Sequence, residues 1–304
     1  MKLRSLLGTA VLAGLTLAGC ASPTPAAPAP ASSAPISIVT TTNVYGSIAK
    51  AVGGDRVTVD SLITDPAADP HSYESSPADA VKVGKAAVVV LNGGGYDDWK
   101  RKLVESADAG NRDVVDVAEL SGLKPATGEF NEHVWYSLPT VQKLATRLAS
   151  DLGRVDTANA ATYVANAGAF NAKVDELTKR AKAIGEAHPG DRVAVTEPVP
   201  GYLIETAGLT DATPEEFSEA VEEDTDPPAA VVQETLALFG DRQVKALVLN
   251  TQTETPTTDQ VKQAAQTANV PVVGVTETLP AGVDDYVSWM GGQIDALAAA
   301  LNRK

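Results

Sequence analysis

Imidazole and carboxylate are the groups in this sequence that could do chemistry. There are three histidines, His71, His133 and His188. His71 lies in Asp69-Pro70-His71-Ser72-Tyr73-Glu74, just after a strand-like run, and His133 lies in Asn131-Glu132-His133-Val134-Trp135-Tyr136. Glu197 and Glu277 each close a strand-like run, Arg192 to Glu197 and Val270 to Glu277. Neutral imidazole is a common metal ligand. Two imidazoles and two carboxylates suit a borderline-to-hard divalent cation, and the two negative charges would make the loaded site formally neutral. Imidazole must lose its proton to bind, so affinity should fall in acid. His188, beside Pro189 at the end of a helical pattern, reads as structural, and Trp135 and Tyr136 read as packing residues.

No two of these candidates are close in sequence, so spacing alone does not join them. There is no His-Glu-x-x-His, no Walker loop and no paired cysteine. Gly93-Gly94-Gly95 lacks the dinucleotide fingerprint and reads as a strand-to-helix turn. The single cysteine, Cys20, excludes an internal disulfide and a cysteine-based zinc site. A formal charge of −15, or −17 once Lys2 and Arg4 are removed, argues against nucleic acid, whose phosphates would repel the protein. The same charge favours solubility and attracts cations.

The elements that must position these groups alternate. Ile36 to Thr41, Val57 to Ile63, Ala87 to Leu91 and Asp113 to Val117 read as strands, with helical patterns over Val44 to Val52, Ala78 to Lys85 and Tyr96 to Ala107. Continuous apolar runs such as Ala87 to Leu91 suit strands buried on both faces of a parallel sheet. A helix from Pro139 to Leu152 follows. A second helical pattern runs from about Thr157 to Ala187, with Ala161, Val164, Ala165, Ala169, Phe170, Val174, Leu177, Ala181 and Ile184 as its apolar positions. Some thirty residues of helix would span about 45 Å, enough to cross between two domains. Alternation then resumes, with strands at Arg192 to Glu197, Lys245 to Leu249 and Val270 to Glu277 and helices at Pro227 to Phe239, Thr258 to Ala268 and Asp284 to Asn302. The expected fold is α/β: two lobes, each with a mostly parallel sheet flanked by helices, bridged by one long α-helix. Ligands of such sheets bind beyond the carboxyl ends of the strands, where Glu197 and Glu277 fall in the second lobe, while His71 and His133 lie in first-lobe loops that could face them across a cleft.

The start of the chain reads as an export signal. A basic Met1-Lys2-Leu3-Arg4 precedes an apolar run from Leu6 to Leu17, too short for a comfortable membrane span. Leu17-Ala18-Gly19-Cys20 resembles the lipobox of bacterial lipoproteins, which implies cleavage before Cys20 and lipidation of its thiol. The Pro/Ala-rich stretch that follows has almost nothing to bury and suits an extended tether. The expected organisation is a signal peptide (1–19), a lipidated tether (20–35), an N-terminal lobe (36–153), the bridging helix (154–189) and a C-terminal lobe (190–304).

From Ile36 onward the chain resembles the metal-binding lipoproteins of bacterial zinc/manganese ABC importers, the cluster A-I solute-binding proteins. Asp69-Pro70-His71-Ser72-Tyr73-Glu74 matches that family's Asp-Pro-His-x-Tyr-Glu segment, Leu91-Asn92-Gly93 its Asn-Gly turn, and His133-Val134-Trp135 its His-x-Trp segment. Glu197, five residues before Tyr202, stands where the family places its third ligand, and Glu277-Thr278-Leu279 resembles the acidic-Ser-Leu segment of the fourth. The resemblance implies a metal site of His71, His133, Glu197 and Glu277, with Glu254 and Asp284 as competing carboxylates for the fourth place. It implies two lobes bridged by a long helix, no catalysis, and a monomer tethered by lipid to the outer face of the cytoplasmic membrane. Its cargo would be a divalent metal ion, Mn2+ or Zn2+, passed to an ABC permease and its ATPase. The chain departs from the family in having no histidine between Gly110 and Glu132, and Tyr136-Ser137-Leu138-Pro139 where Leu-Asp-Pro is usual. Two carboxylates without a third histidine favour manganese over zinc. Competing readings are a metal-dependent hydrolase with an open coordination position, for which no clear general base is present, and a surface adhesin of the same fold.

Overall fold

The apolar runs become short parallel strands in two separate sheets. In the first, β1 (Ile36–Thr42), β2 (Val57–Ile63), β3 (Val88–Leu91) and β4 (Asp113–Asp116) lie in the order β2-β1-β3-β4. In the second, β5 (Arg192–Val195), β6 (Thr210–Asp211), β7 (Leu247–Asn250) and β8 (Val272–Val275) lie in the order β6-β5-β7-β8. Every pairing in both sheets is parallel. All residues of β3 and β7 are buried, as continuous apolar strands between helical layers should be. This computed structural model describes residues 34–66, 68, 70–97, 99, 103–104 and 112–303. The expected signal peptide, Cys20, most of the tether, Asp69 and much of the helix expected from Tyr96 to Ala107 lie outside the described residues.

The helices of the first lobe include α1 (Asn43–Gly53), α2 (Pro77–Lys85), the short α3 (Val117–Ser121) and α4 (Leu138–Val155). α2 begins where Pro77 suggests, and it is closed by a capping box in which Ser76 and Asp79 each satisfy the other's backbone N–H. α5 (Ala160–Ala187) is the long helix, 28 residues after a 3-10 turn at Thr157–Asn159. At 1.5 Å per residue it is about 42 Å long. It packs on α1 and α4 of the first lobe and on α6 (Gly201–Thr206) and α10 (Tyr286–Leu301) of the second. Its buried positions are Tyr163, Ala167, Phe170, Val174, Leu177, Ala181 and Ile184, alternating in steps of three and four. The expected positions Ala161, Val164, Ala165 and Ala169 are instead exposed. The stripe is set by Phe170 and runs back through Ala167 to Tyr163, whose hydroxyl donates to Asp156 at 2.9 Å, so Val164 faces water.

Between Pro198 and Asp226 the sequence pattern predicts no element, yet the chain folds there into α6, β6 and α7 (Glu215–Glu222). β6 is two exposed polar residues, and α7 buries Phe217, Ser218 and Val221 within an acidic surface, so neither has a visible apolar period. The remaining helices, α8 (Ala229–Gly240) and α9 (Pro256–Thr267), cover the second sheet with α7.

One hydrophobic core runs through the whole body. It links Ile38, Val88 and Val90 of the first sheet to Trp135, the α5 stripe, and Val193, Val248 and Val273 of the second. Polar ties cross between the lobes in parallel with it. Asn43 exchanges two hydrogen bonds with the backbone of Leu279, Tyr136 donates to Thr276 O at 2.6 Å, Tyr286 to Trp135 O at 2.8 Å, and Tyr202 to Asn131 O at 2.7 Å. Among the described residues, no helix is long and apolar enough to cross a membrane.

Candidate metal centre

The carboxyl ends of both sheets face one cleft, and the residues that follow those ends line it. His133 is fully buried at the start of a 3-10 turn, Val134–Tyr136. Its Nδ1 lies 2.8 Å from Asn131 Oδ1, and the same oxygen accepts the His133 backbone N–H at 3.0 Å. Because Asn131 Oδ1 is an acceptor, the imidazole donates through Nδ1 and turns Nε2 to the cleft, the arrangement that prepares a histidine for a metal. Nε2 itself has no aligned hydrogen bond. Asn131 Nδ2 donates across the lobes to Pro198 O at 2.8 Å. Asn92 supports the same loop by donating to Glu132 O at 2.9 Å, while the Tyr45 hydroxyl holds its side-chain oxygen. The turn after Asn92 requires glycine. Gly93 has φ +76°, and a Cβ there would come within 2.2 Å of the Asp116 carboxylate.

His71 follows β2 in a turn closed by Tyr73 N donating to Pro70 O at 3.3 Å. The loop is held from the other lobe: Gln252 Nε2 donates to Pro66 O at 3.1 Å and Ala68 O at 2.9 Å. The His71 ring meets Tyr96 edge-on at 4.7 Å and lies 5.9 Å from the His133 ring. Glu277 follows β8 and is fully buried. It accepts from the Tyr96 hydroxyl at 3.0 Å and from Asn250 Nδ2 at 2.9 Å. Its Oε2 lies 3.5 Å from His71 Nε2 and 3.8 Å from His133 Nε2.

Three of the four expected residues therefore converge: donor atoms of His71, His133 and Glu277 lie within 4.8 Å of one another. Glu197 does not join that group. It stands behind it, accepting from Asn250 Nδ2 at 2.7 Å and from the Thr253 hydroxyl, so that one amide holds both Glu197 and Glu277. The amide's orientation is fixed because its oxygen accepts from Gln252 N at 3.1 Å. The competing carboxylates are elsewhere: Glu254 pairs with Lys262 at 2.8 Å, and Asp284 lines a separate cavity beside α1.

Sequence reasoning missed Glu222, the last residue of α7. Its Oε1 lies 3.1 Å from His71 Nε2 and 3.2 Å from His133 Nε2. Donor atoms of His71, Glu132 and Glu222 form a second group within 4.8 Å. The signal was faint, because Glu222 sits in Val221-Glu222-Glu223-Asp224, which reads as a solvated acidic run. Only the burial of Ser218, one helical turn earlier on the same face, marks it as inward.

The charges in the cleft are coupled. Burial works against protonating His71, but the carboxylates of Glu222 and Glu277 outweigh it and push its pKa up to about 11. His133 is likewise raised: burial opposes the charged form, and Glu222 and then Glu277 overcome it. Glu222 is held well below the usual carboxylate range, since the attraction of both imidazoles exceeds its own burial penalty. Burial pushes Glu197 up to about 7, against the bonds from Thr253 and Asn250. Glu132 is raised by burial too. The cleft thus sets two imidazoles, both shifted toward the protonated form, against the side chains of Glu222 and Glu277. A buried Nε2 with no aligned partner, beside clustered carboxylate oxygens, is a donor set that suits a divalent metal.

Comparison with known proteins agrees with this architecture. Residues 38–300 match the family described as "ZnuA: Zinc-uptake complex component A periplasmic". The chain is 32% identical over 168 residues, 52% of this chain and 54% of the relative, to the "Metal ABC transporter substrate-binding lipoprotein ScbA" of Streptococcus cristatus. It is 31% identical over 181 residues, 55% of this chain and 58% of the relative, to the "Manganese ABC transporter substrate-binding lipoprotein scaA" of Streptococcus gordonii. The chain thus spans about half the length of the curated relatives it matches. The periplasmic zinc binding protein TroA of Treponema pallidum shares the fold, with a TM-score of 0.74 at 21% identity, covering 88% of this chain and 100% of TroA. That family is described by its role as an uptake component. With the match extending over nearly all of the folded body, the chain belongs to the ZnuA family.

Proposed function

We propose that this protein is a lipid-anchored extracytoplasmic receptor that captures a divalent transition metal, manganese in preference to zinc, and hands it to an ABC permease and its ATPase. The observation that carries the reading is the convergence of His71, His133 and Glu277 donor atoms within 4.8 Å at the meeting of two lobes. In this reading the two imidazoles bind through Nε2, the tautomer that Asn131 already imposes on His133. Glu277 binds as a carboxylate, and Glu197 completes the set from its place across the shared Asn250 amide. The preference for manganese rests on oxygen-rich chemistry, since carboxylate ligands suit hard cations, and the manganese-named relative supports it. Cys20 carries the lipid, and the body works as a monomer on the outer face of the cytoplasmic membrane.

Elemental analysis of the purified protein, together with growth of a deletion strain under metal starvation, tests the reading. About one manganese per chain, and growth restored by added manganese, are expected. Rescue by neither manganese nor zinc contradicts a role in metal import. Cys20→Ser should move the protein from the membrane to the soluble fraction.

A further inference from the structure

Glu222 occupies a position that is costly for a carboxylate unless positive charge faces it. It ends α7, where the helix dipole is negative and repels an anion. Its side chain is only 11% exposed, and neither of its oxygens has an aligned hydrogen bond. A buried charge without donors is strongly disfavoured unless it is paired. What it faces are the two nitrogens proposed to hold the cargo: a single oxygen, Oε1, lies 3.1 Å from His71 Nε2 and 3.2 Å from His133 Nε2.

The local fold fixes it there. α7 closes with the paired hydrogen bonds of a Schellman motif, Thr225 N to Ala220 O at 2.8 Å and Asp224 N to Val221 O at 3.2 Å, and Asp224 takes the left-handed conformation at φ 52°. Phe217 and Val221 anchor the helix in the core beneath the second sheet. On its other side Glu222 borders a cavity of about 360 Å3, lined also by Glu129, Glu132, Glu219 and Glu223, an acidic approach to the centre. We propose that Glu222 is itself a ligand of the cargo cation, so that two histidines are joined by three glutamates; this rests on the reading that His71 and His133 hold that cation. A dication between the imidazoles would attract this carboxylate, whose oxygen already lies against both nitrogens.

The test is calorimetric titration of Mn2+ into the full chain and its variants Glu222→Gln, Glu222→Asp, Glu219→Gln and His71→Ala, with circular dichroism to confirm folding of each. Removing a residue that merely supports a metal ligand weakens binding 10- to 100-fold, so losing a ligand should cost at least about 10-fold. Glu222→Gln should lose that much, Glu222→Asp less, and Glu219→Gln, which removes an acid from the same helix and cavity, under about threefold. The Mn2+ electron paramagnetic resonance line shape of loaded Glu222→Gln should differ from that of the wild type. If Glu222→Gln binds like Glu219→Gln, or more tightly than the wild type, Glu222 is a placeholder that the cation displaces and the proposal is overturned. Loss of binding in His71→Ala alone leaves the two-histidine site standing without Glu222. Undiminished binding in His71→Ala overturns the site and this proposal with it.

Discussion

Both histidines are shifted toward the cationic state, and that sets how the site responds to pH. At neutral pH the His71 imidazole, pushed up to about 11, holds a proton that a cation must displace, and His133 is raised in the same direction. Binding should therefore release protons near pH 7 and strengthen as pH rises. Titrations in buffers of different ionisation enthalpy measure this directly. The metal-free protein should behave oppositely. His71 has a folded pKa above its ordinary 6.5, so its stabilising contribution is complete below pH 6.5 and is lost as pH rises through about 11. Glu222 is depressed below its ordinary 4.5, so its contribution is present above pH 4.5 and is lost as pH falls further. Thermal melts of the metal-free protein should show this cluster stabilising most between pH 4.5 and 6.5, and Tm should fall from pH 6 to pH 9. A metal-free Tm that rises over that range contradicts the ion-pair cluster. At this scale much of the candidate centre is legible in the sequence. His71, His133 and Glu277 stand in recognisable segments, and their donor atoms converge. Glu222 was hidden because an acidic run reads as a wet surface, and which of its members points inward depends on how α7 packs. Glu197 was legible as a position at a strand end, but its engagement with Asn250 and Thr253 was not, because those partners lie more than fifty residues away.

The supporting elements act by holding loops at strand ends. The Asn92-Gly93 turn is the clearest case, since Asn92 carries Glu132 O, next to His133, and Gly93 permits the turn. Gly93→Ala combines a left-handed backbone with a Cβ placed against Asp116 and should destabilise the fold by about 1–3 kcal/mol. Urea unfolding measures it, and a loss below about 0.5 kcal/mol would show that the turn relaxes freely. Element types were read well where the apolar period was strong. The parallel strands, the capped start of α2 at Pro77 and the long α5 all carry it. The pattern is silent where tertiary context does the work: β6 is a strand only because β5 offers it an edge, and the buried stripe of α5 is ambiguous because its run of alanines supports more than one face.

The whole body is built to resist a wide hinge. A single core passes from one sheet to the other through α5, and hydrogen bonds from Asn43, Tyr136, Tyr202, Gln252 and Tyr286 cross between the lobes. Solution scattering on metal-free and loaded protein should give radii of gyration that differ by less than about 0.5 Å, for a body of this size near 18–19 Å. Compaction of about 1 Å or more would require the core to part and would contradict the rigid bridge. The central claim, that one cation is held between His71, His133 and Glu277, is tested most directly by calorimetric titration of Mn2+ into the wild type, His71→Ala and Glu277→Ala. One tight site per wild-type chain, weakened at least ~100-fold in each variant, is the predicted result. Wild-type affinity in either variant, or no binding by the wild type, contradicts it.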